Sequence, residues 1–274
     1  MRILFLISCF FITNHSNAQT GSLDSKFPVD SGYFSSFDGT KIYYEVRGEG
    51  KPVLLVHGFI VDGSSWKRTA LYDILLDDGY KVVTLDMRGN GKSGKPQDST
   101  AYDNDAEAKD IMLLMNFLKA NHYSVVGYSR GSIITARLLV LDKRIQTAAM
   151  GGIGTDFTNP LWPRRIMFYR ALMGDPVPEL KGMVEYVQKQ KLDQRALAYL
   201  QRSQPSTSKE ELSKVKQPVL VISGSEDEDN GSAGELAKLL PNSTLASTPG
   251  DHNHASATTE FAKRVILFFQ KNNY

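Results

Sequence analysis

The sequence predicts an α/β fold, a doubly wound and mostly parallel sheet flanked by helices. Three observations predict it. Five short apolar runs recur along the chain, at residues 52–57, 81–86, 124–128, 147–152 and 218–223. Stretches of helical spacing lie between and after them, and a β-hairpin signal precedes the first. Nearly continuous hydrophobicity suits a strand covered on both faces. Alternation of such strands with helices builds a parallel sheet.

Each element has its own warrant. In 33–46, aromatic and β-branched residues flank Asp38-Gly39, a strong hairpin turn. This hairpin adds antiparallel strands at one edge. Helical spacing marks 65–76, 105–120, 131–141, 232–240 and 255–270. In the second of these, Ile111, Leu114, Phe117 and Leu118 share one face. The rhythm breaks between 156 and 216, which holds no convincing strand. Apolar residues at helical spacing suggest three helices there, around Trp162–Met173, Met183–Val187 and Leu197–Leu200, punctuated by prolines. This stretch reads as a helical insertion between two strands.

The chain has 274 residues, of which 41% are hydrophobic and 23% charged, so a packed core is expected rather than disorder. The net charge of +2, from 32 basic and 30 acidic residues, argues against nucleic acid as a dedicated partner. Residues 1–18 have the three parts of a secretory signal peptide. Arg2 gives a positive start, 3–12 is mostly apolar, and Ser16-Asn17-Ala18 supplies small residues before Gln19. The apolar run is about half of the ~20 residues a membrane-spanning helix needs. A secreted or periplasmic chain starting near Gln19, with no stable membrane insertion, is the expectation. The single cysteine, Cys9, falls in the signal, so neither a disulfide nor a thiol nucleophile is expected in the mature chain.

The strongest chemical signal is Gly127-Tyr128-Ser129-Arg130-Gly131. It fits G-x-S-x-G, follows an apolar strand and opens a helix. A sharp turn there lifts the serine hydroxyl above the sheet. A second signal, His57-Gly58-Phe59, ends the first parallel strand. The backbone N–H groups of Phe59 and Arg130 are placed to converge as an oxyanion hole. His57 itself is expected to hold its loop rather than act as a base. A serine nucleophile needs a base, and His252 and His254 lie in a loop at the same sheet edge. A carboxylate must orient that base. Glu226, Asp227, Glu228 and Asp229 follow the strand at 218–223, and Asp156 is a further candidate.

The order Ser, Asp, His together with the elbow resembles the α/β-hydrolase superfamily. The resemblance runs from Tyr33 to the C-terminus. It includes H-G-F at 57–59, D-x-R-G-x-G-x-S at 86–93, the elbow at 127–131, G-x-x-D at 224–227 and G-D-H-x-x-A at 250–255. It implies an eight-stranded sheet, a core of 19–155 with 217–274, and a helical cap at 156–216. It also implies Asp227 as the acid and His252 as the base of Ser129. A serine hydrolase acting by acyl transfer on a small carboxylic ester or lactone follows, with no metal or organic cofactor. Amide, carbon–carbon bond and peracid chemistry use the same three residues and stay open. So does a non-catalytic binding protein on the same fold. Ser129 at the elbow separates the chain from relatives with an aspartate there. In the cap, Phe157, Trp162, Phe168, Tyr169 and Met173 are apolar, and Arg164, Arg165 and Arg170 are candidates to hold an acidic substrate or form a solvated face.

Overall fold

In the computed structural model, which describes residues 26–274, eight strands form one sheet. They are β1 (Asp30–Ser35), β2 (Lys41–Arg47), β3 (Pro52–Val56), β4 (Lys81–Leu85), β5 (Tyr123–Tyr128), β6 (Ile145–Gly151), β7 (Val219–Gly224) and β8 (Ser243–Thr248). Across the sheet they run β1-β2-β4-β3-β5-β6-β7-β8. The hairpin strands β1 and β2 pair antiparallel, and β2 joins β4 antiparallel. Every later pairing is parallel. The strand order reverses between β3 and β5. Such a switch point opens a crevice at the carboxyl ends of the strands, where open α/β sheets bind ligands. The signal-like segment 1–18 lies outside the described residues.

Nine α-helices are described: α1 (Ala70–Asp77), α2 (Ala106–Phe117), α3 (Arg130–Leu141), α4 (Pro163–Met173), α5 (Lys181–Lys189), α6 (Gln194–Arg202), α7 (Lys209–Leu212), α8 (Ala233–Leu239) and α9 (Thr259–Lys271). Successive strand residues point to opposite faces, and both faces are buried. Leu54, Val56 and Val125 pack among Ile111, Ile133 and Leu236 of α2, α3 and α8. Val53, Leu55 and Val126 pack among Leu71, Leu75, Phe261 and Val265 of α1 and α9. That two-sided burial is why the strands read as continuous apolar runs.

Two stretches expected as single helices are divided. A 3₁₀ turn at Gly63–Arg68 precedes α1, and another at Ala255–Ala257 precedes α9. Thr69 and Thr258 stand at the breaks in extended backbone, and their hydroxyls accept from Tyr72 and Phe261 N–H groups. A β-branched hydroxyl residue satisfies a helix start better than it propagates a helix. On α2, Ile111 and Leu114 are buried, whereas Phe117 is 55% exposed at the helix end and meets the rings of Phe34 and Tyr44.

The stretch between β6 and β7 contains α4 to α7 and no strand. Its helices share a small cluster of Leu172, Val187, Ala196, Leu197 and Leu200, which reaches Tyr102 and the Phe59-Ile60 loop. The insertion therefore packs over the loop that follows β3.

Candidate active site

The elbow is built by close approach. A Cβ on Gly127 would lie 2.4 Å from the Gly131 carbonyl oxygen, and one on Gly131 would lie 2.1 Å from that of Val56. Neither strand β5 nor helix α3 leaves room for a side chain at these two positions. Between them Ser129 is held at φ 53°, ψ −121°. This is a costly conformation for a non-glycine residue and persists only where surroundings enforce it. Ser129 N–H donates to Gly151 O at 2.8 Å, and Ser132 Oγ lies 2.9 Å from Gly127 O and 2.8 Å from Gly151 O. These bonds brace the turn from the β6 side.

His252 Nε2 lies 2.9 Å from Ser129 Oγ, and His252 Nδ1 lies 2.9 Å from Asp227 Oδ2. A carboxylate on Nδ1 fixes the proton there and leaves Nε2 as the acceptor facing the hydroxyl. Burial alone would raise the Asp227 carboxyl. The hydrogen bond and charge of His252 outweigh it and hold Asp227 below the usual carboxylate range. Tyr128 adds a constraint that the sequence did not announce. Its hydroxyl donates to the His252 carbonyl at 2.7 Å, and its ring lies 5.6 Å from the imidazole. The only hint was an aromatic residue beside Ser129.

The other candidates stand elsewhere. His57 is buried; its Nδ1 donates to Gly58 O at 2.8 Å and its Nε2 accepts from Met87 N–H at 3.0 Å. Both ring nitrogens are engaged by backbone, and burial depresses its pKa. His254 is exposed and pairs with Asp251 three residues away, at 2.6 Å. His122 is exposed beside Gln146. Of the remaining acids, Asp229 lies 3.5 Å from Arg164, and Glu226 and Glu228 are exposed. Asp156 begins a short turn after β6, next to Gly231.

The 86–93 segment explains itself structurally. Asp86 accepts from the N–H groups of Gly63 at 2.9 Å and Lys92 at 2.7 Å. Gly91, at φ +47°, lies so close that a Cβ would meet Asp86 Oδ2. Fully buried Arg88 forks onto Asp110, with two bonds of 2.6 Å, and reaches Asp38 in the hairpin turn. Ser93 accepts from Tyr43 N–H at 2.8 Å. These residues tie the loops after β3 and β4 to the hairpin, which steadies the crevice without entering it. Phe59 lines the space around Ser129. Among the described residues, neither the Phe59 N–H nor the Arg130 N–H has a hydrogen-bond partner. The Arg130 side chain, in contrast, is clamped by Glu107 at 2.6 and 2.5 Å and donates to Leu200 O.

Known proteins share this architecture. The family described as the alpha/beta hydrolase fold matches residues 51–181. The chain has the α/β-hydrolase fold. A Synechocystis sp. protein provisionally named a non-heme chloroperoxidase is 40% identical over 111 residues, which cover 40% of this chain and 39% of that protein. The non-heme chloroperoxidase of Streptomyces lividans is 26% identical over 88% of this chain and 100% of its own length. The solved enol-lactonase of Burkholderia xenovorans LB400 superposes with a TM-score of 0.71 at 21% identity, over 87% of this chain and 100% of its own. At that identity the likeness speaks for fold alone.

Two spaces meet at Ser129 and His252. One, of about 460 Å³, is a groove along Phe59, Trp66, Thr69 and Met183. The other, of about 70 Å³, lies under the helical insertion, against Ile133, Ile153 and Trp162. Phe168 lines both and stacks edge-on against Phe59, with centroids 5.9 Å apart. Of the apolar residues singled out in the insertion, Trp162 and Phe168 line these spaces. Phe157 is buried in the core, Tyr169 packs against the insertion's own cluster, and Met173 is 47% exposed. No helix among the described residues is long and apolar enough to cross a membrane.

Proposed function

We propose that the protein is a serine hydrolase that cleaves a small carboxylic ester or lactone by acyl transfer. The observation that carries the reading is the unbroken contact from Ser129 Oγ through His252 to Asp227, 2.9 Å at each step. Ser129 attacks the carbonyl carbon as His252 Nε2 takes its proton. The negative charge that develops on the carbonyl oxygen meets the N–H groups of Phe59 and Arg130. Fixed donors aimed at such charge lower the barrier because they need no reorganisation. His252 then protonates the leaving oxygen, an acyl-enzyme remains on Ser129, and water activated by His252 releases the acid. Asp227 holds the imidazole in the right tautomer and stabilises its charged form. Residues 156–216 act as a cap that shapes the acyl-binding space, and the signal-like 1–18 segment directs the chain to export.

The names borne by the two chloroperoxidase relatives support a second reading. In it, hydrogen peroxide replaces water at the acyl-enzyme, and the product is a peracid. Both readings need the same nucleophile. A fluorophosphonate probe that labels the native protein and not Ser129→Ala is the expected result. A folded native sample that resists labelling overturns the acyl-transfer reading. Monitoring acid against peracid, from one ester with and without peroxide, then separates the two.

A further inference from the structure

The small space beside Ser129 has an unusual wall. Gln201 and Gln204 are each only 6% exposed, and both line it. Among the described residues neither side-chain amide has a hydrogen-bond partner. Their amide atoms open onto the space rather than being sealed from it, so they are placed to bond to a polar group that enters it.

The arginines around the same space differ in their partners. Arg130 is matched by Glu107 and Arg164 by Asp229. Arg165 also lines the space, and its guanidinium donates only to backbone carbonyls, those of Arg202 at 3.1 Å and Pro160 at 2.5 Å, with Gln204 O at 3.5 Å. No carboxylate pairs with it among the described residues. Burial without an anion pulls its pKa below the usual arginine value. Arg170, the third arginine of the helix, points elsewhere and pairs with Asp175 on the surface. The arginines of α4 therefore divide: Arg170 belongs to a solvated face, while Arg164 and Arg165 border the space at the nucleophile.

We propose that this space recognises a carboxylate on the acyl side of the substrate. The substrate is then the half-ester of a short dicarboxylic acid, or a lactone that opens to one. Arg165 supplies the charge, and the Gln201 and Gln204 amides supply neutral donors. The volume of about 70 Å³ admits a group of only a few heavy atoms, far below the ~300 Å³ at which pockets begin to enclose drug-sized ligands. The small space is assigned to the acyl half, which stays bonded to Ser129 while the alcohol departs, and the larger groove to the leaving group. This inference rests on the acyl-transfer reading of Ser129.

The test compares 4-nitrophenyl hemiglutarate with 4-nitrophenyl butyrate, and an ester whose carboxylate is on the alcohol side. A kcat/KM for the hemiglutarate at least tenfold above both others is expected. Arg165→Met, and separately Gln204→Leu, should lower the ratio of hemiglutarate to butyrate turnover about tenfold. Equal turnover of all three esters overturns the proposal, as does a uniform loss in the variants that leaves the ratio intact. Calorimetry of free glutarate against its neutral diamide, on the wild-type protein, reads recognition without turnover. Binding of glutarate alone supports the proposal, and equal or absent binding of both overturns it. Failure of the hydrolase reading itself is separate, because it shows as no fluorophosphonate labelling of Ser129.

Discussion

Two histidine loops stand at the same edge of the sheet, and they are opposites. His57 follows β3, is buried, and has both ring nitrogens tied to backbone at 2.8 and 3.0 Å. His252 follows β8, is part-exposed, and has both ring nitrogens turned to side chains, those of Ser129 and Asp227. A histidine bound at both nitrogens by main chain is a rivet. One bound between a hydroxyl and a carboxylate can exchange a proton in each cycle. Residue type and sheet edge do not separate them; the neighbours do.

The sharpest way to break this contrast is to remove the working side. Ser129→Ala or His252→Ala should lower ester turnover by roughly 10⁴-fold or more, with the fold retained by circular dichroism. Asp227→Asn should cost about 10³- to 10⁴-fold, because the imidazole loses its tautomer and orientation while the shape is kept. If His254→Ala did this instead, the base would be misassigned; exposed as it is, its loss should change turnover less than twofold.

Next comes the rivet. His57→Ala orphans the buried Met87 N–H and removes the brace on Gly58, at a cost of about 2–3 kcal/mol. In a chain of this size that is a fall of roughly 5–10 °C in melting temperature. His57 also sets a pH signature. Its pKa in the fold lies below the unfolded value of 6.5. Protons therefore bind the unfolded chain first, and stability falls as pH drops below about 6.5. His57→Asn should flatten the slope of melting temperature against pH in that window.

The smallest expected effect joins the two loops to the elbow. Tyr128→Phe removes the 2.7 Å bond to the His252 carbonyl. A bond of this kind is worth about 0.5–1.5 kcal/mol. We expect up to about tenfold lower kcat with little change in KM, measured on a small ester. An equal loss of stability and no kinetic change would assign Tyr128 to packing alone.

Much of the fold was legible because burial writes itself into composition. Strands β3 to β7 are covered on both faces, and each shows as an apolar run. β8 escaped because it is an edge strand: it reads Ser-Thr-Leu-Ala-Ser-Thr, and Leu245 is 54% exposed. The breaks at Thr69 and Thr258 escaped because capping depends on backbone turns that periodicity does not register. In the site, Ser129 was legible from the two glycines that must touch the next strand and helix. The polar wall was not. Gln201 lies on an otherwise buried face of α6, and a lone glutamine in such a pattern reads as an ordinary helix residue until its burial is known.

The sequence by itself determined the local constraints: the doubly buried strands, the elbow that admits no side chain at 127 or 131, the hairpin turn. These depend on a few adjacent residues and on the chemistry of each. Tertiary structure decided the encounters. His252 meets Ser129 across 123 positions of chain and Asp227 across 25, and Arg165 comes to border the space at Ser129 while Arg170 does not. Such meetings are set by how β3, β5, β7 and β8 line up at one edge and how the insertion folds over it. Spacing along the chain carries no record of them, because the distances that matter are measured across the sheet.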